Sequence, residues 1–280
     1  IFYDYSLLKT KKKRIQKVYY PPNSKLNFLN HNVSTGIFIS SDKDEKDVLL
    51  EVSDWNNNKT YLNFKIEGKT SNLLEKSIDG IEIATSKKYL IKKNNSEIGF
   101  KKNSFFNNVT LNIKYQNDTL KIDEDLYPLR KSYNIKIFKQ VEDSIIKRQS
   151  FIGLINNNGK LSYLKTSNKD NFFSVNSSNL GSFTLSRDSI NPEIKALNFS
   201  LNKDISNQKT IRLRIYDKTS GIKSYNVLIN NKWALFEYEP KSNLIFHNID
   251  DGIIENGENK ITIKVIDGVG NKTEFKSKVY

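Results

Sequence analysis

Short segments in which apolar and polar residues alternate recur throughout residues 188–280. Seven such segments, separated by turn-forming residues, lie at 194–201, 210–216, 222–229, 232–238, 242–247, 259–266 and 272–280. A period of two places alternate side chains on opposite faces of a strand, so that one face can be buried. Seven short strands over about 90 residues are typical of an immunoglobulin-like or fibronectin-like β-sandwich.

The apolar residues of the chain are also those that strands prefer. The 280 residues include 16 Phe and 14 Tyr, Ile, Leu and Val are abundant, and Ala is scarce. Branched and aromatic side chains fit a pleated surface well. With 37% hydrophobic residues the chain has enough material for a core, and its length indicates two or three domains. We therefore predict an all-β protein made of tandem immunoglobulin-like or fibronectin-like β-sandwich domains.

A middle β-sandwich-like domain is predicted at residues 78–187. Its strand-like segments are 109–113, 133–137, 151–155 and 182–185. The Asn-rich turn at 156–159 is typical of a hairpin. Asn191-Pro192 favours an extended junction near the start of the C-terminal immunoglobulin-like domain at 188–280.

Residues 1–68 show only three or four strand-like segments, fewer than a complete sandwich needs. Two of them, 48–52 and 61–66, flank a polar turn and predict a β-hairpin. We predict a partial β-sandwich at 1–68 whose other strands lie upstream, followed by a linker at 69–77. The chain begins at Ile1, without Met or a signal-like segment, so we expect the native N-terminus and any targeting signal further upstream.

A nine-residue pattern occurs twice, because residues 52–60 align without gaps on 265–273 and share Val, Asp, Asn, Lys and Thr at equal spacing. The Asp can accept hydrogen bonds from backbone amides across the turn, and Gly or Asn accepts the positive φ that the reversal needs. A strand precedes and follows each copy. We interpret the repeat as turn chemistry and therefore as a mark of architecture.

The formal net charge of +14 suggests nucleic acid or an acidic membrane as a binding partner. Apart from residues 11–14 and a few Lys pairs, however, the lysines lie at alternate positions of strand-like segments, as solvent-facing residues do. No nucleic-acid-binding motif occurs, so we predict no nucleic-acid partner. No apolar stretch is long enough to cross a bilayer, so we also predict no transmembrane segment.

Residues suited to catalysis are scarce. Cys is absent, and His31 and His247 are far apart, without the His-x-x-x-Asp or His-x-His spacing of a zinc hydrolase. We expect His247 to be a surface or packed residue. Phosphate-binding loops and nucleophile motifs do not occur either. We predict that this chain is not an enzyme, that it has no catalytic, cofactor-binding or metal-binding residues, and that it holds no cofactor.

Acidic and aromatic residues suggest two further kinds of site. The acidic groups that could suggest calcium lie at 42–47, 123–125 and 250–251, but none has the spacing of an EF-hand. We interpret each group as a solvated turn. Trp55 and Trp233 could contact sugars, but Trp233 shares a strand with Leu235 and Tyr238, so we expect it in a core or between sheets.

Several segments occur in an order that resembles a known family. They are Tyr3-Asp4-Tyr5, 13–19, the hairpin at 52–60, 179–185 with Asp188 and Pro192, 220–225 and Trp233. Together they resemble the non-catalytic region downstream of the catalytic domain in Bacteroidota M23-family (lysostaphin-like) metallopeptidases, over nearly the whole chain. The resemblance implies an upstream zinc endopeptidase domain acting on peptidoglycan cross-bridges. It also implies export to the periplasm, the outer membrane or the cell surface. The zinc motifs of the family do not occur here, so no site residue is carried over.

The favoured function is a scaffold or interaction region that docks on a cell-envelope or outer-membrane protein complex and positions an upstream domain. A β-sandwich offers edges and loops for such contacts without needing an active site. The alternative is an accessory module that binds peptidoglycan or another glycan, which clustered exposed aromatic residues would support. An independent enzyme would need a deep pocket with perturbed carboxylates.

Overall fold

The computed structural model describes residues 3–15, 44–68, 80–156 and 158–280. Their regular structure is almost entirely β-strand, arranged in several sheets, which confirms the predicted all-β class of sandwich domains. The two α-helices of the described residues have seven and six residues, and neither has the length to cross a membrane. His31, the predicted linker at 69–77 and much of the predicted first domain lie outside the described residues.

The predicted hairpin at 48–52 and 61–66 is confirmed. Strands β1 (Glu45–Ser53) and β2 (Lys59–Glu67) pair antiparallel over their whole length. Within the described residues, neither strand pairs with a third. Six exposed apolar side chains cover the two faces of the hairpin, and we call them the hairpin surface: Leu49, Leu50, Val52, Tyr61, Leu62 and Phe64.

A short helix that the sequence did not predict precedes the hairpin. Helix α1 (Tyr5–Lys11) begins after Asp4, whose carboxylate accepts a hydrogen bond from the Leu7 amide at 2.9 Å. Lys9 Nζ lies 2.6 Å from Asp125 Oδ2, and the Tyr5 hydroxyl donates to the same oxygen at 3.1 Å. These contacts join α1 to the region that follows the hairpin.

Residues 80–187 form two five-stranded sheets and a two-stranded sheet. The elements are β3 (Ile81–Ile83), β4 (Tyr89–Lys93), β5 (Ser96–Phe100), β6 (Val109–Leu111), β7 (Ile113–Gln116), β8 (Thr119–Ile122), β9 (Tyr133–Phe138), α2 (Ser144–Gln149), β10 (Ser150–Ile155), β11 (Leu161–Tyr163), β12 (Ser167–Lys169), β13 (Phe172–Ser177) and β14 (Gly181–Arg187). The sheet orders are β11-β10-β14-β8-β7, β12-β13-β9-β5-β4 and β3-β6. A common core includes the fully buried Ile98, Leu120, Tyr133, Ile135, Ile152 and Phe183. The hairpin predicted around 156–159 is confirmed by the pairing of β10 with β11.

Residues 193–279 form a second pair of sheets with a separate core. The elements are β15 (Glu193–Ala196), β16 (Thr210–Tyr216), β17 (Ile222–Ile229), β18 (Lys232–Trp233), β19 (Glu237–Glu239), β20 (Leu244–Asn248), a 3-10 helix (Ile249–Asp251), β21 (Asn259–Asp267) and β22 (Lys272–Val279). The four-stranded sheets have the orders β15-β16-β20-β19 and β18-β17-β21-β22. Their core includes Ile211, Leu213, Ile215, Ile229, Ile245, Ile263 and Val265. One hydrophobic core thus falls in each of the predicted ranges 78–187 and 188–280.

The segment 232–238 differs from its prediction as a single strand. β18 pairs with β17 in one sheet and β19 pairs with β20 in the other, so the chain crosses between sheets at 234–236. Ala234 and Phe236 are buried at the crossing, and Trp233 stays 62% exposed. The expectation that Trp233 packs in a core or between sheets is therefore wrong, because the neighbouring Ala and Phe take those places.

Candidate metal centre at the junction of the two sandwiches

The link between the sandwiches runs from the end of β14 to the start of β15, and the side chain of Asn271 holds it. Asn271 Nδ2 donates to the backbone carbonyls of Asp188 at 2.9 Å and of Ile190 at 3.1 Å. Its Oδ1 accepts from Gln149 Nε2, at the end of α2, at 2.7 Å. Asn271 is buried in the turn between β21 and β22. One amide therefore joins the first sandwich, the link and the second sandwich.

Neighbouring side chains fix the orientation of that contact. Arg187 donates from Nε and Nη2 to Gln149 Oε1, at 2.9 and 2.7 Å, so the amide nitrogen of Gln149 faces Asn271. The Tyr163 hydroxyl donates to the Gly268 carbonyl at 3.0 Å, and Arg148 donates to the Gly270 carbonyl. The first sandwich thus contacts the backbone of the turn as well as its side chain.

The turn at 267–271 is one copy of the repeated pattern, and the structure confirms its predicted chemistry. Asp267 Oδ1 accepts from the amides of Val269, Gly270 and Asn271 at 2.7 to 3.0 Å. In the hairpin copy Asp54 Oδ1 accepts from the Asn58 amide at 2.9 Å. In both copies the Asn side chain donates to the other Asp oxygen at 2.8 Å. The two turns differ in environment, since Asp54 is exposed and Asp267 is buried.

A second turn lies against the first. Asp217, just after β16, accepts from the amides of Thr219, Ser220 and Gly221 at 2.7 to 3.0 Å through Oδ1. Gly268 donates to the Gly221 carbonyl at 2.9 Å. A Cβ at Gly268 would lie 2.5 Å from the Ser220 carbonyl oxygen, so only Gly permits this close approach.

Three carboxylates meet where the two turns and the link come together. Asp188, Asp217 and Asp267 each offer an oxygen, and these oxygens lie within 4.8 Å of one another. Asp188 is 1% exposed and Asp267 is 0% exposed, whereas Asp217 is half-buried. Burial raises the pKa of Asp267, hydrogen bonds from Asn271 and Gly270 oppose that rise, and the charge of Asp188 adds to it. Sequence spacing does not reveal this group, because its members come from a link and two separate turns.

A groove next to the carboxylates runs between the two sandwiches. Its lining includes the exposed side chains of Arg148, Lys223 and Lys272 together with Asn271. Within the described residues, no Lys, Arg or His nitrogen lies within 4.0 Å of the three carboxylates. Because Asp188 and Asp267 are buried and Asp217 is only half-buried, the group suits a metal cation better than acid–base catalysis on a substrate.

The acidic groups singled out from the sequence lie outside this cluster and have other partners. Asp123 accepts from the amides of Asn112 and Glu124, Asp125 pairs with Lys9, and Asp251 Oδ2 lies 3.7 Å from His247 Nδ1. Residues 42–43 lie outside the described part. Asp44, in the same group, pairs with Lys46 at 2.8 Å.

The histidine and tryptophan predictions have different outcomes. His247 is packed, as expected: it is 1% exposed, stacks on Phe236 with a centroid distance of 5.2 Å, and places Nδ1 2.8 Å from the Leu235 carbonyl. Trp55, at the hairpin turn, is fully exposed, as is much of Trp233.

Comparison with known proteins gives one family match. Residues 82–188 match the family model of the Zu5-like domain, which is less than half of the chain. The search of curated proteins finds no significant match. The matched segment covers the first sandwich and reaches Asp188, so it includes one of the three carboxylates together with Gln149 and Arg187.

Proposed function

We propose that this chain is the non-catalytic scaffold and interaction region of an exported cell-envelope protein similar to the M23-family peptidases. It docks on an envelope or outer-membrane protein complex and holds an upstream domain in position. Catalytic zinc, if the parent protein has it, belongs to that upstream domain.

The observation that carries this proposal is the junction built around Asn271. Domains joined by a short link ordinarily move relative to each other unless their interface restrains them. Here Asn271, Gln149 and Arg187 form a chain of hydrogen bonds at 2.7 to 3.1 Å that spans the link. A scaffold needs a fixed relation between its parts, and this network supports one.

The hairpin surface supports the docking part of the proposal. Exposed apolar patches mark interaction sites in many proteins. The side chains of Leu49 and Leu62, for example, are 63% and 55% exposed. The outer edges of β1 and β2 can also pair with a strand from another protein.

The test is purification of the parent protein from envelope extracts, with sedimentation as the readout. Gln149→Ala combined with Asn271→Ala loosens the junction, and Gln116→Ala, at an exposed position of β7, is the control. We expect wild type and control to co-sediment with a larger protein complex. The junction variant should keep its circular dichroism spectrum but sediment alone. Wild-type protein that sediments as a monomer and pellets with purified peptidoglycan would refute the scaffold proposal.

The glycan-binding alternative draws on the exposure of Trp55 and Trp233. Stacking of a sugar on an indole would change its fluorescence. Titration with soluble peptidoglycan fragments tests this, with Trp55→Ala and Trp233→Ala assigning the signal. A response lost in one of these variants favours the alternative, and no response in wild type excludes it.

A further inference from the structure

The three carboxylates at the junction have the spacing of ligands around one ion. Ca²⁺ binds oxygen at about 2.3–2.6 Å, so oxygens around one ion lie up to about 5 Å apart. The oxygens of Asp188, Asp217 and Asp267 lie within 4.8 Å of one another.

A buried oxygen without a partner supplies a second, independent observation. Asp188 Oδ1 accepts from the Ile190 amide at 3.2 Å, but Asp188 Oδ2 is buried and has no hydrogen-bond partner. A buried carboxylate oxygen left unpaired is costly, and such groups ordinarily find a hydrogen-bond donor or a metal. Asp188 belongs to the carboxylate group, so a cation bound there would satisfy this oxygen.

The hydrogen bonds to the three carboxylates bring no positive charge. Backbone amides occupy Oδ1 of Asp217 and of Asp267, and Asn271 donates to Asp267 Oδ2. These donors are neutral. Ion pairs within 4.0 Å to the three carboxylates do not occur among the described residues, although Lys223 and Lys272 line the adjacent groove.

The ligand chemistry selects the ion. All three ligands are carboxylates, whereas zinc sites in proteins are built mainly from His and Cys. Mg²⁺ requires near-ideal octahedral geometry and loses its water ligands reluctantly, so it seldom takes a site built only from protein side chains. Ca²⁺ accepts irregular oxygen ligands and completes its shell with water.

We propose that Asp188, Asp217 and Asp267 bind one Ca²⁺ ion, which ties the link to two turns of the second sandwich. With three protein ligands we expect weak affinity, on the order of 10⁻⁴ to 10⁻³ M, as in extracellular calcium-binding modules. The site does not depend on the proposed envelope function, because it follows from residues of this chain alone.

The test is calorimetric titration of the whole 280-residue chain with Ca²⁺, Mg²⁺ and Zn²⁺, together with melting curves in chelator and in excess Ca²⁺. Asp188→Asn removes the unpaired oxygen and keeps the size of the side chain. Asp54→Asn is the matched control, since Asp54 occupies the same position in the repeated turn but is exposed. Asp217→Asn, at the half-buried ligand, is a second test.

We expect Ca²⁺ to bind wild type and Asp54→Asn equally, to bind more tightly than Mg²⁺, and to raise the melting temperature of both. Asp188→Asn and Asp217→Asn should bind Ca²⁺ at least about tenfold more weakly, as expected for loss of one of three charged ligands. In chelator Asp188→Asn should melt higher than wild type, because it removes one of the crowded charges, and in Ca²⁺ the order should reverse. Equal Ca²⁺ affinity in wild type and Asp188→Asn would overturn the proposal, as would tighter binding of Zn²⁺ or no binding in wild type.

Discussion

Truncation of Asn271 is the sharpest test of the junction. In Asn271→Ala, Gln149 Nε2 and the carbonyls of Asp188 and Ile190 lose their partner, at distances of 2.7, 2.9 and 3.1 Å. A hydrogen bond contributes a net ~1 kcal/mol, and a buried polar group left unsatisfied adds about 1–3 kcal/mol. Water can enter from the groove and replace part of the loss. We therefore expect the free energy of unfolding of the second sandwich to fall by about 3 kcal/mol.

The assay is urea unfolding in the presence of chelator, followed by circular dichroism. With a slope of about 1–3 kcal/mol per molar urea, the midpoint should fall by ~1 M or more. Asn226→Ala is the control, because Asn226 is exposed on β17, and its effect should stay within ~0.5 kcal/mol. If Asn271→Ala destabilises the protein no more than the control does, the hydrogen bonds across the link do not hold the sandwiches together.

Three further predictions concern separate parts of the chain. Asp143 Oδ1 caps α2 by accepting from the Ile145 and Ile146 amides, so Asp143→Ala should lower the free energy of unfolding by about 1 kcal/mol, measured with urea. Glu142→Ala, next to the cap, is the control, and an equal loss in that variant would contradict the capping role. Burial raises the pKa of Tyr133, so the unfolded chain ionises this residue first and the stability it contributes is lost as pH rises above about 10. Tyr133→Phe should therefore flatten the fall of the urea midpoint above that pH, and an unchanged slope would refute the assignment. The double variant Leu49→Ser, Leu62→Ser should bind less of a hydrophobic dye and leave the melting temperature of both sandwiches unchanged. A large drop in that temperature would mean that the hairpin surface packs against the sandwiches.

Most strands of the second sandwich were predictable, because apolar and polar residues alternate along them and the turns carry Asp, Asn or Gly. The predicted ranges 210–216 and 222–229 coincide with β16 and β17. Alternation identifies the face of a strand but not the sheet to which it belongs. The sequence therefore could not show that 109–113 divides at Asn112, where the chain passes from pairing with β3 to pairing with β8.

Short helices and distant contacts were not predictable from pattern. Helix α2 has six residues, too few to show a helical pattern of apolar residues, and only the Asp143 cap indicates it. The repeated pattern predicted the hydrogen bonds within the Asp267 turn, because they join residues that are close in sequence. It could not show that Asp188 and Asp217 lie beside Asp267, since that depends on how two turns and a link pack in three dimensions.

The hydrogen bonds from Asn271 to the link also determine how a pulling force passes through the protein. Tension entering from the first sandwich passes through the Asp188 and Ile190 carbonyls to the turn between β21 and β22, strands of nine and eight residues. Without those hydrogen bonds, the pull would fall directly on β15, a four-residue strand at the edge of its sheet. A short edge strand peels away one hydrogen bond at a time, whereas two long paired strands share the force. The junction therefore shields β15, the edge strand that follows the link, from being peeled away.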